Sequence, residues 1–375
     1  MANLGPRDTK DLVLLTGWDA TELKKHQLQD GTTFATLVGD MNAALGAVNA
    51  ELYNDPLWSS IASYQDMPEV EYRVGSSNGF KRFTEYGQAD AQRGDTEGHM
   101  LPLVPFDRKL GWTWNYLRKA RRSQLDSDIQ DAIKDIRDLY RVQLLTRVLK
   151  RGDDSGEYYG LGSSGYSTGF ATAAASTAVD YTPPAFGGTS FTSDHEHYVG
   201  IAGGAFTAAV FTDANSELKE HGHNPPYDFW IGGSDEATVK GLTGFVGTAS
   251  SLIAYNDTAA LANFGGGNQV DMNGSYYIGT ISDFRVRVVP GIPQYYGFGF
   301  KSYGANSQRN PVRIRLQKGI MRPAVVAMPD PRAGNGAYPL QFMMLFTEFG
   351  VGVADRTNGT ARYVNNATWA DGTPT

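Results

Sequence analysis

QLDSDIQDAIKDIRDLYRVQLLTRVLKR, residues 124–151, is an amphipathic helix written almost without interruption. Leu125, Ile129, Ile133, Ile136, Tyr140, Leu144 and Val148 recur at the spacing that puts side chains on one helical face. Asp126, Asp128 and Asp131 fall near its start, and Arg147, Lys150 and Arg151 near its end, which complements a helix dipole. Gly152 supplies a stop. At 1.5 Å per residue the rod is roughly 40 Å long. That exceeds what most globular cores bury, so the sequence predicts a strut.

Around this helix the chain reads as β-rich. Its 375 residues include 44 glycines and 20 tyrosines, with a net charge of −7. So mild an acidity argues against a protein whose main task is gripping nucleic acid through a basic face. No cysteine occurs, which removes disulfides and thiolate chemistry and fits a reducing cytoplasm. Neither a membrane-length apolar run nor a signal-peptide pattern is present.

Residues 1–61 read as an N-terminal arm, with a helical pattern over 32–52 that Asp55-Pro56 ends. Residues 62–120 read as one long two-stranded flap: Val70, Tyr72 and Val74 alternate on the way out, and Leu110, Trp112, Trp114 and Tyr116 on the way back. A lone ribbon is marginal in water. Three large aromatics at ~200 Å² each and ~25 cal/mol/Å² represent on the order of 15 kcal/mol of gross burial, an upper bound. Left wet, that face invites aggregation, so the sequence predicts a partner surface for it.

Past the long helix, residues 152–192 are rich in Gly, Ser, Thr and Ala, and a second helical pattern covers 195–221. Tyr227, Asp228, Phe229, Trp230 and Ile231 predict a buried strand, and Ser234-Asp235-Glu236 a capped short helix. Strands are predicted at 276–281, 284–289, 295–300 and 312–317. A terminal strand pair, 340–349 and 350–363, is expected to turn at Thr357-Asn358-Gly359.

This order of parts resembles the major capsid proteins of tailed bacteriophages, whose fold is shared with encapsulin shells and the herpesvirus capsid floor. The flap looks like the family's extended loop, and residues 124–151 like its spine helix. The ending FTEFGVGVADRTNGTARYV, residues 346–364, looks like the last strands of its peripheral domain. The resemblance covers residues 30–365 and implies an α+β fold. Its expected parts are an arm at 1–61, an extended loop at 62–120, a peripheral domain at 121–192 completed by 323–375, and an axial domain at 193–322.

It further implies a non-enzymatic subunit that assembles with itself into pentamers and hexamers of an icosahedral shell. The expected partners are non-specifically packaged double-stranded DNA, a separate scaffolding protein, a portal and decoration proteins. The expected place is the virion, after assembly in the host cytoplasm. Tyr72, Trp112, Trp114, Tyr116, Arg118, Arg121 and Arg122 are the candidate inter-subunit contacts. An encapsulin-like compartment and a secreted β-rich carbohydrate-binding or adhesion protein are the alternatives.

Other motifs read as bland. Gly160-Leu161-Gly162-Ser163-Ser164-Gly165 matches a dinucleotide-binding glycine pattern but follows a polar turn rather than a strand. His195-x-His197 and His221-x-His223 read as surface histidines at helix ends, since residues i and i+2 of a helix face apart. Asp153/Asp154 and Asp235/Glu236 are paired acids that sequence cannot place across a cleft, and Asp235/Glu236 already has a capping role. Arg151-Gly152-Asp153 is explained by the helix stop, and no motif licenses cross-linking at Lys81 or Lys109. No catalytic, cofactor-binding or metal residue is assigned.

Overall fold

The N-terminal helical periodicity forms two helices, α1 (Phe34–Asn54) and α2 (Pro56–Ile61). The computed structural model describes residues 28–32, 34–74, 95–113, 116, 119–152, 170, 182–192, 195–247, 274–320, 322–329 and 340–375. Asp55 makes the break between the helices. Its Oδ1 accepts hydrogen bonds from the Leu57 and Trp58 N–H groups at 2.7 and 3.3 Å, and Pro56 takes the first helical position. Met41, Leu45, Val48 and Leu52 of α1 and Leu57, Trp58 and Ile61 of α2 are buried in the main core. From residue 34 onward the expected arm is therefore part of the folded body.

β1 (Ala62–Gln65) leads to a ribbon of β2 (Glu69–Val74) and β3 (Asp95–Met100), paired antiparallel with no third strand among the described residues. β4 (Val104–Thr113) leaves the ribbon and pairs instead with β13 (Leu340–Val353). Residues 62–120 are thus not one continuous flap. The reason lies in the alternation of β4. Leu110 and Trp112 are buried and Phe106 and Arg108 partly buried, whereas Pro105, Asp107, Lys109 and Gly111 are exposed. One face of β4 has something to cover, and the edge position tolerates its proline.

What it covers is the long helix, α3 (Arg122–Leu149), 28 residues in length. Arg108 pairs with Asp135 and also donates to the Asp131 carbonyl at 3.0 Å. Trp112 Nε1–H donates to Asp128 Oδ2 at 2.9 Å. Because α3 starts at Arg122, its aspartates fall beyond the first turn, and they receive side chains rather than complementing the dipole. Leu125, Ile129, Ile133, Ile136, Tyr140, Leu144 and Val148 are all buried. The rod is a core element along its whole length, which corrects its reading as a strut. At its end the buried Arg147 donates to the Lys150 and Gly152 carbonyls at 2.6 and 2.8 Å, satisfying acceptors the helix cannot.

Two sheets flank α3. The five-stranded one runs β1, β11 (Val312–Leu316), β13, β12 (Val326–Pro329), with β4 also on β13. Tyr140 locks α3 to it: its ring stacks on Phe349 with centroids 4.0 Å apart, and Trp58 meets it edge-on at 5.9 Å. The Tyr140 hydroxyl lies 3.0 Å from Thr347 Oγ1. The seven-stranded sheet runs β5 (Tyr198–Gly200), β14 (Thr360–Tyr363), β10 (Tyr296–Phe300), β6 (Tyr227–Ile231), β9 (Phe284–Val288), β8 (Tyr276–Ile281), β7 (Val246–Gly247).

Its two faces are chemically distinct. Trp230, Phe298 and Phe300 join the core around α3. Tyr227, Phe229, Ile231, Phe284 and Val286 meet α4 (Ala208–Glu220) through Val210, Phe211, Ala214 and Leu218, and meet α5 (Glu236–Lys240) through Val239. The alternating Tyr296-Gly-Phe-Gly-Phe300 follows from this. A Cβ on Gly297 would stand 2.5 Å from the Phe229 ring, so glycine makes room for aromatics on the α4 side.

Three expectations are corrected here. Residues 195–221 are not one helix: they begin as irregular chain, form β5, turn through Gly203 and Gly204 at positive φ, and only then enter α4. Residues 340–363 are not a hairpin, since β13 stays in one sheet and β14 enters the other. The Asn358-Gly359 turn is the crossing point. Buried Asn358 accepts from the Lys301 N–H at 2.7 Å and donates to its carbonyl at 2.9 Å, and Gly359 leaves space for Phe170. Consequently β11 and β14 each belong to the sheet opposite to the one their sequence position suggested. No helix among the described residues is long and apolar enough to cross a membrane.

Candidate functional site

The residues singled out as contacts between copies fall into three groups. Trp114 and Arg118 lie outside the described residues. Trp112 is 6 % exposed and belongs to the chain's own core. This corrects the premise that it needs a second copy, because the strand alternation that exposes it on a free ribbon buries it once β4 joins β13. Arg122 is spent within the chain as well. Its guanidinium pairs with Asp40 at 2.6 Å and Asp126 at 3.4 Å, and its N–H donates to Asp30 at 2.9 Å. That N–H, with the N–H of Thr32, holds the Asp30 carboxyl below its usual range. The cluster thus ties the segment before α1 to the start of α3.

The remaining residues sit at the surface or in the ribbon. Tyr72 pairs with Glu97 in the ribbon backbone. Tyr116 is 40 % exposed, and Met67, at the ribbon's root, is 67 % exposed. Arg121 precedes α3, with its N–H bonded to Gln124 Oε1 at 3.0 Å. The root is anchored by Val70 and Leu101 packed on Ala354, and Arg315 donates to the Leu101 carbonyl at 2.7 Å. Beside it, burial and the nearby Arg356 push the His99 imidazole down to about 4.

Asp235 and Glu236 are each engaged by different partners. Asp235 Oδ2 accepts from the Tyr295 N–H at 2.8 Å rather than capping α5, and burial raises its carboxyl. Glu236 is held low by Lys240 and by Tyr276, whose hydroxyl donates to it at 2.6 Å. Lys109 lies exposed in β4 opposite Met344. Residues 160–165, Lys81 and Asp153/Asp154 fall outside the described residues. Arg151 forms an ion pair with Glu196 at 2.7 Å.

The histidines are where sequence reasoning missed most. His195 and His197 lie in the irregular chain that leads into β5, with His197 at a bend, and not on a helix. Both meet His221, whereas His223 turns away to the Tyr303 hydroxyl and Thr357. An HxH written before a strand, rather than inside a helix, was the available signal.

No protein-family profile and no curated protein sequence matches the chain. Solved structures do. That of Mycobacterium phage Patience superposes over 100 % of this chain and 96 % of its own, with a TM-score of 0.59 at 18 % identity. The chain has the phage capsid-protein fold. The asymmetric unit of the bacteriophage PhiM1 mature capsid covers 84 % of this chain and 89 % of its own, with a TM-score of 0.49 and 12 % identity. The holo-SrpI encapsulin complex from Synechococcus elongatus covers 82 % and 86 %, with a TM-score of 0.43 and 11 % identity.

Proposed function

We propose that this chain is a structural shell subunit that assembles with copies of itself into pentamers and hexamers of a tailed-phage capsid enclosing double-stranded DNA. The observation that carries the reading is the end-to-end agreement with a phage structure over 100 % of the chain. A second supports it: among the described residues β2 and β3 form a ribbon with no third strand, and such a ribbon is marginal by itself. Met67 and Tyr116 add exposed apolar surface near its root and near the start of α3. A neighbouring copy is the natural cover for both.

On this reading the five-stranded sheet with α3 is the peripheral unit and the seven-stranded sheet with α4 and α5 the axial unit. Tyr72, Tyr116 and Arg121 are the contacts between copies. The role is structural rather than catalytic, and the place is the virion. A net charge of −7 suits a container that encloses DNA without clamping it.

Sedimentation of the purified full-length chain tests this. Capsomer-sized or larger particles, assembling with rising concentration, are the expected result. A monomer that persists at high concentration would refute it. Particles from the native source that hold protein cargo instead of nucleic acid would move the reading to a compartment shell.

A further inference from the structure

We propose that His195, His197 and His221 form a binding site for one divalent transition-metal ion of the zinc or nickel class, with Glu217 and Glu220 as carboxylate ligands. The three Nε2 atoms form a nearly equilateral triangle, 3.0 Å from His195 to His197 and 2.9 Å from each of these to His221. Three nitrogens ~2.05 Å from one ion stand ~2.9 Å apart in octahedral geometry and ~3.3 Å apart in tetrahedral geometry, so the triangle is close to what either requires. Three imidazoles that each carry the proton on Nδ1 aim three lone pairs at the centre of such a triangle, and a metal ion satisfies all three.

His197 shows the direction of its lone pair. Its Nδ1 lies 2.6 Å from the Gly359 carbonyl, which can only accept, so the proton is on Nδ1 and the Nε2 lone pair faces the triangle. Donation of the second ring N–H to a carbonyl is how metal-ligating histidines are commonly oriented.

A carboxylate supplies an independent sign. Glu217 is 8 % exposed. Its Oε2 accepts from Arg362 and from Thr360 Oγ1, the latter at 2.6 Å. Its Oε1 is buried without a hydrogen-bond partner and lies 4.0 Å from His197 Nε2. Glu220 Oε1 lies 3.3 Å from His195 Nε2 and 3.8 Å from His221 Nε2. Phe191 closes one side, with ring centroids 4.8 and 4.4 Å from His195 and His221. A cleft lined by His195, Glu217 and Glu220 opens the other side to solvent.

An ion here would staple the segment before β5 to the end of α4 and, through Gly359, to the turn into β14. The inference stands whether or not the chain forms shells. The test strips the full-length chain with chelator and measures zinc and nickel binding by equilibrium dialysis, with thermal melting alongside. One ion per chain and a raised melting temperature are expected. His195→Asn, at a partly exposed position, should keep the parent circular dichroism, weaken binding at least tenfold and abolish the zinc-dependent rise. Absence of binding by the parent, or binding unchanged in H195N, would overturn the site. Should H195N fail to fold, Glu220→Gln takes its place with the same two outcomes.

Discussion

Trp112→Ala is expected to lower the unfolding free energy of the isolated subunit by about 3–5 kcal/mol, the usual cost of emptying a large aromatic site in a core. The tryptophan is 6 % exposed, and its neighbour on the same face of β4, Leu110, is 9 % exposed. Its Nε1–H also satisfies Asp128 on α3 at 2.9 Å, so truncation removes a donor as well as a ring. Trp112→Phe keeps most of the packing and should cost about 1.5–3 kcal/mol through the lost bond to a charged acceptor. Chemical denaturation of both variants measures this. A Trp112→Ala subunit that unfolds like the parent but no longer assembles would return the residue to the surface between copies.

Glu217→Ala should be comparably severe, about 3–5 kcal/mol in metal-free buffer, because it strands a buried cation. Arg362 is 2 % exposed and Glu217 8 %, and the two are paired. Thr360 loses its acceptor in the same change. The pair itself is a different matter. Two desolvated charges gain little over apolar groups of similar volume. The double variant Glu217→Leu, Arg362→Met should therefore sit within about 2 kcal/mol of the parent, on either side. Equal losses in single and double variants would mean that the pair's attraction, not the stranded charge, sets the cost.

Periodicity was informative wherever one face of an element is buried. The stripe from Leu125 to Val148 located α3, and Tyr227 to Ile231 read as buried and is buried at every position. Strand order was not legible. Nothing local to Val104–Thr113 says that its partner is Leu340–Val353, because pairing across such a separation is decided by which inward faces match. The same gap hid the crossing at Asn358. Its Asn-Gly chemistry marks a turn correctly but does not say which sheet the chain enters next.

The histidine cluster failed for a related reason. His195, His197 and His221 carry no ligand-type spacing as a set, and only the path of the chain before β5 and the end of α4 bring them together. Trp112 shows the converse. Its alternation was read correctly and its surroundings were not, since a face that looks unsatisfied on a two-stranded flap is satisfied when its strand joins a larger sheet.

What survives is the β2–β3 ribbon, and a cryo-electron microscopy map of assembled particles tests it most directly. The account predicts closed icosahedral shells in which Glu69–Val74 and Asp95–Met100 lie across an adjacent subunit, with Tyr116 at the contact. A map in which each ribbon folds back onto its own chain, or a preparation that forms no shells or capsomers, would contradict it.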